Sequence, residues 1–300
     1  SVASLCGSPA SAGLFRRAVA QSGAASHVLT ADAAAVIAEM FVAELGADPR
    51  TATAEALVDA QARTEAAFAS DSGLRAAAGV DNLGIIFQPV VEPTILPVAP
   101  QQAVRDGASA DVELLVGTNL DEFTMFLPGR VDEAHLERGL GRVFGEGAAE
   151  AEAAYRSRLG ADASPTDVWL AVKADEVFRQ PAIRLAEAHR GVHWMYLFTW
   201  PSSVGRLGST HALEIPFVFD ALDAPGVEPM TGGGAPQALA DAMHGSWASF
   251  CRGDGPGWDA YDDARRATRV FGGLPSDGGA DVTTVDDPLA PERQVWSARA

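Results

Sequence analysis

Three short apolar runs in this sequence end in residues that could do chemistry. AVAQ (18–21) runs into Ser22. VELLVGTN (112–119) runs into Leu120, Asp121 and Glu122. VHWMYLFTW (192–200) is followed by a Ser/Gly loop and then His211. In open α/β sheets, ligands bind beyond the carboxyl ends of the strands, so these are the positions to inspect first. An acid after one strand and a histidine after the next can form an acid–His pair. The carboxylate holds the neutral imidazole in one tautomer and stabilises the imidazolium that forms when the ring accepts a proton. Such a pair is the general base for a nucleophile. By residue type alone the acid is open between Asp121 and Glu122, and most of the chain's 40 acids are caps or solvated loop residues. The nucleophile is harder to find. No G-x-S-x-G occurs, so there is no nucleophile elbow in these residues. Ser22 lies in Gln-Ser-Gly-Ala, without the upstream glycine or the following helix of an elbow, and reads as a small residue closing a strand.

The elements that must position these residues follow from periodicity. A short helix precedes a break at Ser8-Pro9, and AVAQ follows as a short buried strand. Thr30-Ala31-Asp32 opens an amphipathic helix through Leu45, with Val36, Met40, Phe41 and Leu45 at helical spacing and Gly46 as its stop. A second helix spans 53–69. Residues 85–100 (IIFQPVVEPTILPVAP) are too rich in Pro and β-branched residues for a helix and predict extended, irregular chain. The runs at 112–119 and 192–200 are continuous apolar segments, the pattern of strands buried on both faces of a parallel or mixed sheet. Helices are predicted at 131–143, 147–159, 165–174, 179–190 and 236–252, and ATRVFGG (267–273) as an edge strand. Few strands separated by long helical stretches define an α/β protein with a helical insertion beside the sheet.

Composition excludes several function classes. The chain has 300 residues, 47% hydrophobic, and a formal charge of −18 from 22 basic and 40 acidic residues. That charge argues against nucleic acid, which needs clustered Lys and Arg, and no apolar run approaches the roughly 18–20 residues of a membrane span. Lys173 is the only lysine, a bias that fits a GC-rich bacterial gene. Cys6 and Cys251 lie in no C-x-x-C or Cys/His spacing and predict two buried thiols with no zinc site. The six histidines show no H-E-x-x-H, and the glycine clusters make neither a Walker A loop nor a G-x-G-x-x-G; T-G-G-G at 231–234 reads as a flexible loop.

The same residues resemble a known family, the type-B carboxylesterases, which include bacterial para-nitrobenzyl esterases and the cholinesterases. SVASLCGSPASAGLFRRAVAQSGAA at the start resembles the segment that follows the family's nucleophile elbow. IIFQPVVEPTILPVAP resembles the stretch around F-x-P-V-V-D-G. VELLVGTNLDEFTMF resembles the G-x-N-x-D-E-G segment, GSTHALEIPFVF the G-x-x-H-x-x-E-x-P-F-V-F segment, and SWASFCRGDGPGWDAYD the late helix followed by W-x-x-Y. The separation of 89 positions between Glu122 and His211 also fits bacterial members.

The resemblance implies an α/β-hydrolase fold and hydrolysis of a small-molecule carboxylic ester through an acyl-serine, with no cofactor or metal. It resolves the acid in favour of Glu122 and makes His211 the base. Ser22 resembles a serine that hydrogen-bonds the acid, and Glu214 a glutamate of the buried network around the site. The G-E-S-A-G serine and the oxyanion loop are expected upstream of Ser1, so residues 1–300 are expected to be one partial hydrolase domain, truncated at its N-terminal side. Three departures stand out: Phe123 replaces the usual Gly, Glu92-Pro93 replaces Asp-Gly, and Cys251 stands where a small apolar residue is common. The rival reading is a cholinesterase-like binding module without catalysis, which retention of both Glu122 and His211 disfavours.

Overall fold

A computed structural model of the chain describes residues 1–23, 25–71, 73, 85–127, 129–273 and 282–298. The chain divides into two compact units, Ser1–Leu14 with Ala25–Ala108, and Phe15–Ala24 with Ser109–Ala300.

The first unit is mostly helical. The helix Ala31–Leu45 begins where the Thr30 hydroxyl accepts the Ala33 N–H and ends at Gly46, whose φ of +66° is the left-handed stop a glycine supplies without strain. Its buried face centres on Ala33 and Ile37, with Met40 partly buried, rather than on Val36, Phe41 and Leu45. The helix Ala54–Ser70 is capped by Thr53 in the same way. Between 85 and 100 the chain is irregular apart from Val90–Val91 (β3), which pairs in parallel with Leu29–Thr30 (β2), and a bridge between Glu92 and Leu96. Glu92 compensates for the missing Asp-Gly: its carboxylate accepts the backbone N–H groups of Thr94, Ile95 and Leu96 and closes the turn with its own side chain. A short helix, Pro100–Arg105, follows and was not evident from the sequence.

The second unit holds a five-stranded sheet: Arg17–Gln21 (β1), Glu113–Asn119 (β4), His193–Phe198 (β5), Ala267–Phe271 (β6) and Val282–Asp286 (β7), in the order β1-β4-β5-β6-β7. The first four are parallel and β7 is antiparallel to β6. β4 and β5 are buried along nearly their whole length, as continuous apolar strands in a parallel sheet must be. β6 is not the edge strand expected from the sequence, because β7 flanks it.

On one sheet face Leu115, Tyr196, Phe198 and Phe271 pack against Met243, Trp247 and Phe250 of the helix Gln237–Arg252. A second cluster joins Leu136, Leu140, Tyr155, Val168, Trp169 and Trp296, from the helices Glu133–Phe144, Ala148–Leu159, Pro165–Ala174 and Ala290–Ser297. Gly117 in β4 is dictated by close approach, since a Cβ there would collide with the ring and carbonyl of Tyr196.

Two helices expected as separate are joined by a π-helical turn, Asp175–Arg179, between Pro165–Ala174 and Gln180–Ala188. Pro181 has no N–H to give to the carbonyl four residues back, and a single wide turn absorbs the defect. Cys6 is buried and Cys251 is exposed, so the expectation of two buried thiols fails for Cys251. It sits near the end of the helix Gln237–Arg252, next to the buried Phe250.

Candidate functional site

Adjacent parallel strands bring their carboxyl ends to one edge of the sheet, which gathers residues distant in sequence. Gln21 at the end of β1 lies opposite Gly117 of β4, and Asn119 at the end of β4 lies opposite Phe198 of β5. Ser22, Glu122 and His211 therefore emerge side by side.

Glu122 is fully buried, and three donors converge on its carboxylate. Ser22 Oγ donates to Oε1 at 2.5 Å and the Asn119 backbone N–H donates to the same oxygen at 2.7 Å. His211 Nδ1 lies 2.6 Å from Oε2. An ionised carboxylate only accepts, so the proton between them sits on Nδ1, and the neutral ring carries its lone pair on Nε2. The His211 side chain is 32% exposed, in contrast to the fully buried acid. Ser22 is held with φ at +52°, a costly conformation for a residue with a Cβ, and its amide donates to the Gly117 carbonyl at 3.0 Å.

A buried amide network surrounds this pair. Asn119 Nδ2 donates to the Thr210 carbonyl at 2.7 Å and to Glu214 Oε2 at 2.6 Å. Gln21 Nε2 donates to Glu214 Oε1 at 3.0 Å, and Trp247 Nε1 donates to Gln21 Oε1 at 3.2 Å. Glu214 does not touch His211; it anchors the chain three residues beyond it. Two phenyl rings flank the imidazole, Phe126 at 5.4 Å and Phe178 at 5.1 Å between centroids. Phe123 is buried against Phe126, with the Lys173 ammonium 5.6 Å above its ring, and so fills the space beside the acid that a glycine would leave open. Sequence reasoning did not find Asn119 as an anchor, nor Gln21, Phe126 or Phe178 as neighbours of the site. For Asn119 and Gln21 the one available signal was a polar residue at the end of an apolar strand.

Burial disfavours the charged form of His211, but the hydrogen bond and charge of Glu122, with the charge of Glu214, outweigh it and hold the imidazole above its ordinary value. Burial, reinforced by the nearby Glu122, raises the Glu214 carboxyl. Both groups bind protons more tightly folded than unfolded, so their contribution to stability is present at low pH and is lost as pH rises through their folded values. His211 therefore contributes a decline of the urea midpoint as pH rises through its raised value, and the difference in midpoint between the parent and His211→Ala is expected to shrink over that range, followed by urea titrations over a pH series. A difference that is constant across the pH series would show that His211 does not carry it.

Among the described residues, no group of three or more His, Cys, Asp or Glu side chains could hold a metal ion, and no helix is long and apolar enough to cross a membrane.

A mostly parallel sheet flanked by helices, with an acid and a histidine at adjacent strand ends, is the arrangement of an α/β-hydrolase fold. The family model for carboxylesterases matches residues 1–266, and the chain belongs to the carboxylesterase family. It is 30% identical over 312 aligned positions to the para-nitrobenzyl esterase of Bacillus subtilis, covering 98% of this chain and 59% of that protein. It is 32% identical to the phenmedipham hydrolase of Pseudarthrobacter oxydans, over 66% of this chain and 42% of that one. The crystal structure of a Geobacillus stearothermophilus carboxylesterase superposes with a TM-score of 0.77 at 29% identity, over 98% of this chain and 61% of the other. The chain thus spans about three-fifths of the length of such relatives.

Proposed function

We propose that this chain carries the acid and the base of a serine carboxylesterase, Glu122 and His211, and that the nucleophilic serine and the oxyanion donors lie outside these 300 residues. The observation behind this reading is the 2.6 Å contact between His211 Nδ1 and the fully buried Glu122 carboxylate. The serine Oγ attacks the carbonyl carbon of a small-molecule carboxylic ester, and its proton passes to His211 Nε2. Glu122 stabilises the imidazolium. His211 then returns the proton to the departing alcohol, and the acyl group stays on the serine. In the second half His211 takes a proton from water, the hydroxide attacks the acyl carbonyl, and the proton returns to the serine as the acid leaves. Ser22 keeps the second oxygen of Glu122 hydrogen-bonded, and Glu214 holds the loop that bears His211. The chemistry asks for no metal or cofactor.

The experiment compares hydrolysis of a p-nitrophenyl ester by the 300-residue chain and by a longer product that includes the coding sequence upstream of Ser1. Turnover by the longer product alone is expected. Turnover by the 300 residues alone would overturn the division of labour proposed here.

A further inference from the structure

Two loops must meet for Glu122 to reach His211, and each comes from a different strand. A hydrogen bond between two side chains on separate loops is only as well placed as the loops themselves. Among the contacts that join them, the one with the most bonds between a single pair of residues involves the residue before the acid. Asp121 Oδ2 accepts the Ser209 backbone N–H at 2.9 Å and the Ser209 hydroxyl at 3.0 Å, while the Asp121 N–H donates to the Ser209 carbonyl at 3.1 Å. Three bonds thus link one residue of the acid turn to one residue of the histidine loop, two positions before His211.

The loop is shaped to receive this carboxylate. Gly208 has φ at +57°, and a Cβ on it would fall on Asp121 Oδ2. Thr124 lies alongside, donating to the Leu207 carbonyl at 2.6 Å and meeting the Thr210 hydroxyl at 2.9 Å. Asp121 and Gly208 also line a cavity of about 630 Å³ with Thr124, Leu170 and Arg206, so side-chain changes at 121 have room.

We propose that Asp121 is a positioning residue for the Glu122–His211 pair, acting by clasping Ser209 and so fixing the loop that presents the imidazole. This rests on the reading of Glu122 and His211 as a working acid–base pair. Asp121 is not a catalytic residue: its side-chain bonds go to Ser209, not to the ring or carboxylate of the pair. Its effect passes through the backbone of Ser209 and Thr210. The charged groups that act on His211 are Glu122 and Glu214; the rings of Phe126 and Phe178 that pack on it are neutral.

The test is proton NMR of the 300-residue chain, reading the hydrogen-bonded Nδ1–H resonance of His211 and the midpoint of its titration. The variants are Asp121→Ala, Asp121→Asn and Gly208→Ala. Asp121→Ala is expected to lose the downfield resonance and to move the midpoint down, toward an unpartnered imidazole. Gly208→Ala, which keeps the charge but displaces the carboxylate, is expected to do the same. Asp121→Asn, which removes the charge but keeps an acceptor for the Ser209 N–H, is expected to stay close to the parent. Equal downward shifts in Asp121→Asn and Asp121→Ala, with none in Gly208→Ala, would mean a through-space charge effect and overturn the proposal. No change in Asp121→Ala would also overturn it. If Asp121→Ala does not fold, Gly208→Ala decides alone. Absence in the parent of any resonance that Glu122→Gln abolishes would instead refute the acid–base pair itself.

Discussion

Replacing His211 with Ala in the nucleophile-bearing form of the protein is expected to lower kcat for a p-nitrophenyl ester by on the order of 10⁶-fold, the scale seen when a serine hydrolase loses its base. Among the described residues, no other imidazole lies at this carboxylate, and Glu214 is held by Gln21 and Asn119. The described groups around the pair include Glu214 with the two amides that donate to it, a serine that donates to Glu122, and two phenyl rings. Glu122→Gln is expected to cost about 10⁴-fold, because the glutamine amide would donate toward Nδ1 and favour the tautomer with its proton on Nε2. KM is expected to change little in both, since neither group binds the ester uniformly in ground and transition states. Steady-state kinetics on correctly folded variants check this. A loss of less than tenfold in either would contradict the assigned roles.

The largest expected effect on stability lies in the π-helical turn that carries Phe178. Arg179 makes a two-pronged contact with Asp175, both bonds at 2.6 Å, with side chains only 7% and 8% exposed. Tyr155 donates to the same carboxylate at 2.6 Å, and Trp296 Nε1 donates to the Tyr155 hydroxyl at 2.7 Å. Removing one partner of a buried pair leaves the other charge without compensation, which typically costs about 3–5 kcal/mol. Domains of this kind have only about 5–15 kcal/mol in total, so Arg179→Ala is expected to lower the urea midpoint sharply. Replacing both charges with neutral side chains of similar volume, as in Asp175→Asn with Arg179→Met, is expected to recover most of the loss. A double variant no better than Arg179→Ala would show that the pair stabilises by more than mutual compensation.

How much of this was legible in the sequence depends on what kind of physics each feature uses. β4 and β5 could be read because a strand buried on both faces is apolar without interruption. β7 could not, since Val282–Asp286 is largely exposed and its threonines and acid resemble a loop. That omission misplaced β6 at the edge. The break between 174 and 179 was visible, but not that a π-turn would bridge it, because a helix defect depends on how neighbouring carbonyls are satisfied. At the site, the contacts of Glu122 with His211 and with Ser22 were legible through the family resemblance of their segments; place after a strand marked Ser22 only as a small residue closing it. The Gln21–Glu214 bond, between residues 193 positions apart, and the phenyl rings on His211 come from tertiary contact with no local pattern.

In the proposed mechanism Glu122 and His211 activate a serine outside residues 1–300. The most direct measurement is mass-spectrometric mapping of a fluorophosphonate label on the longer product. One labelled serine is expected, outside residues 1–300, with labelling abolished in His211→Ala and strongly slowed in Glu122→Gln. Label on any serine within residues 1–300, or undiminished labelling in His211→Ala, would contradict it.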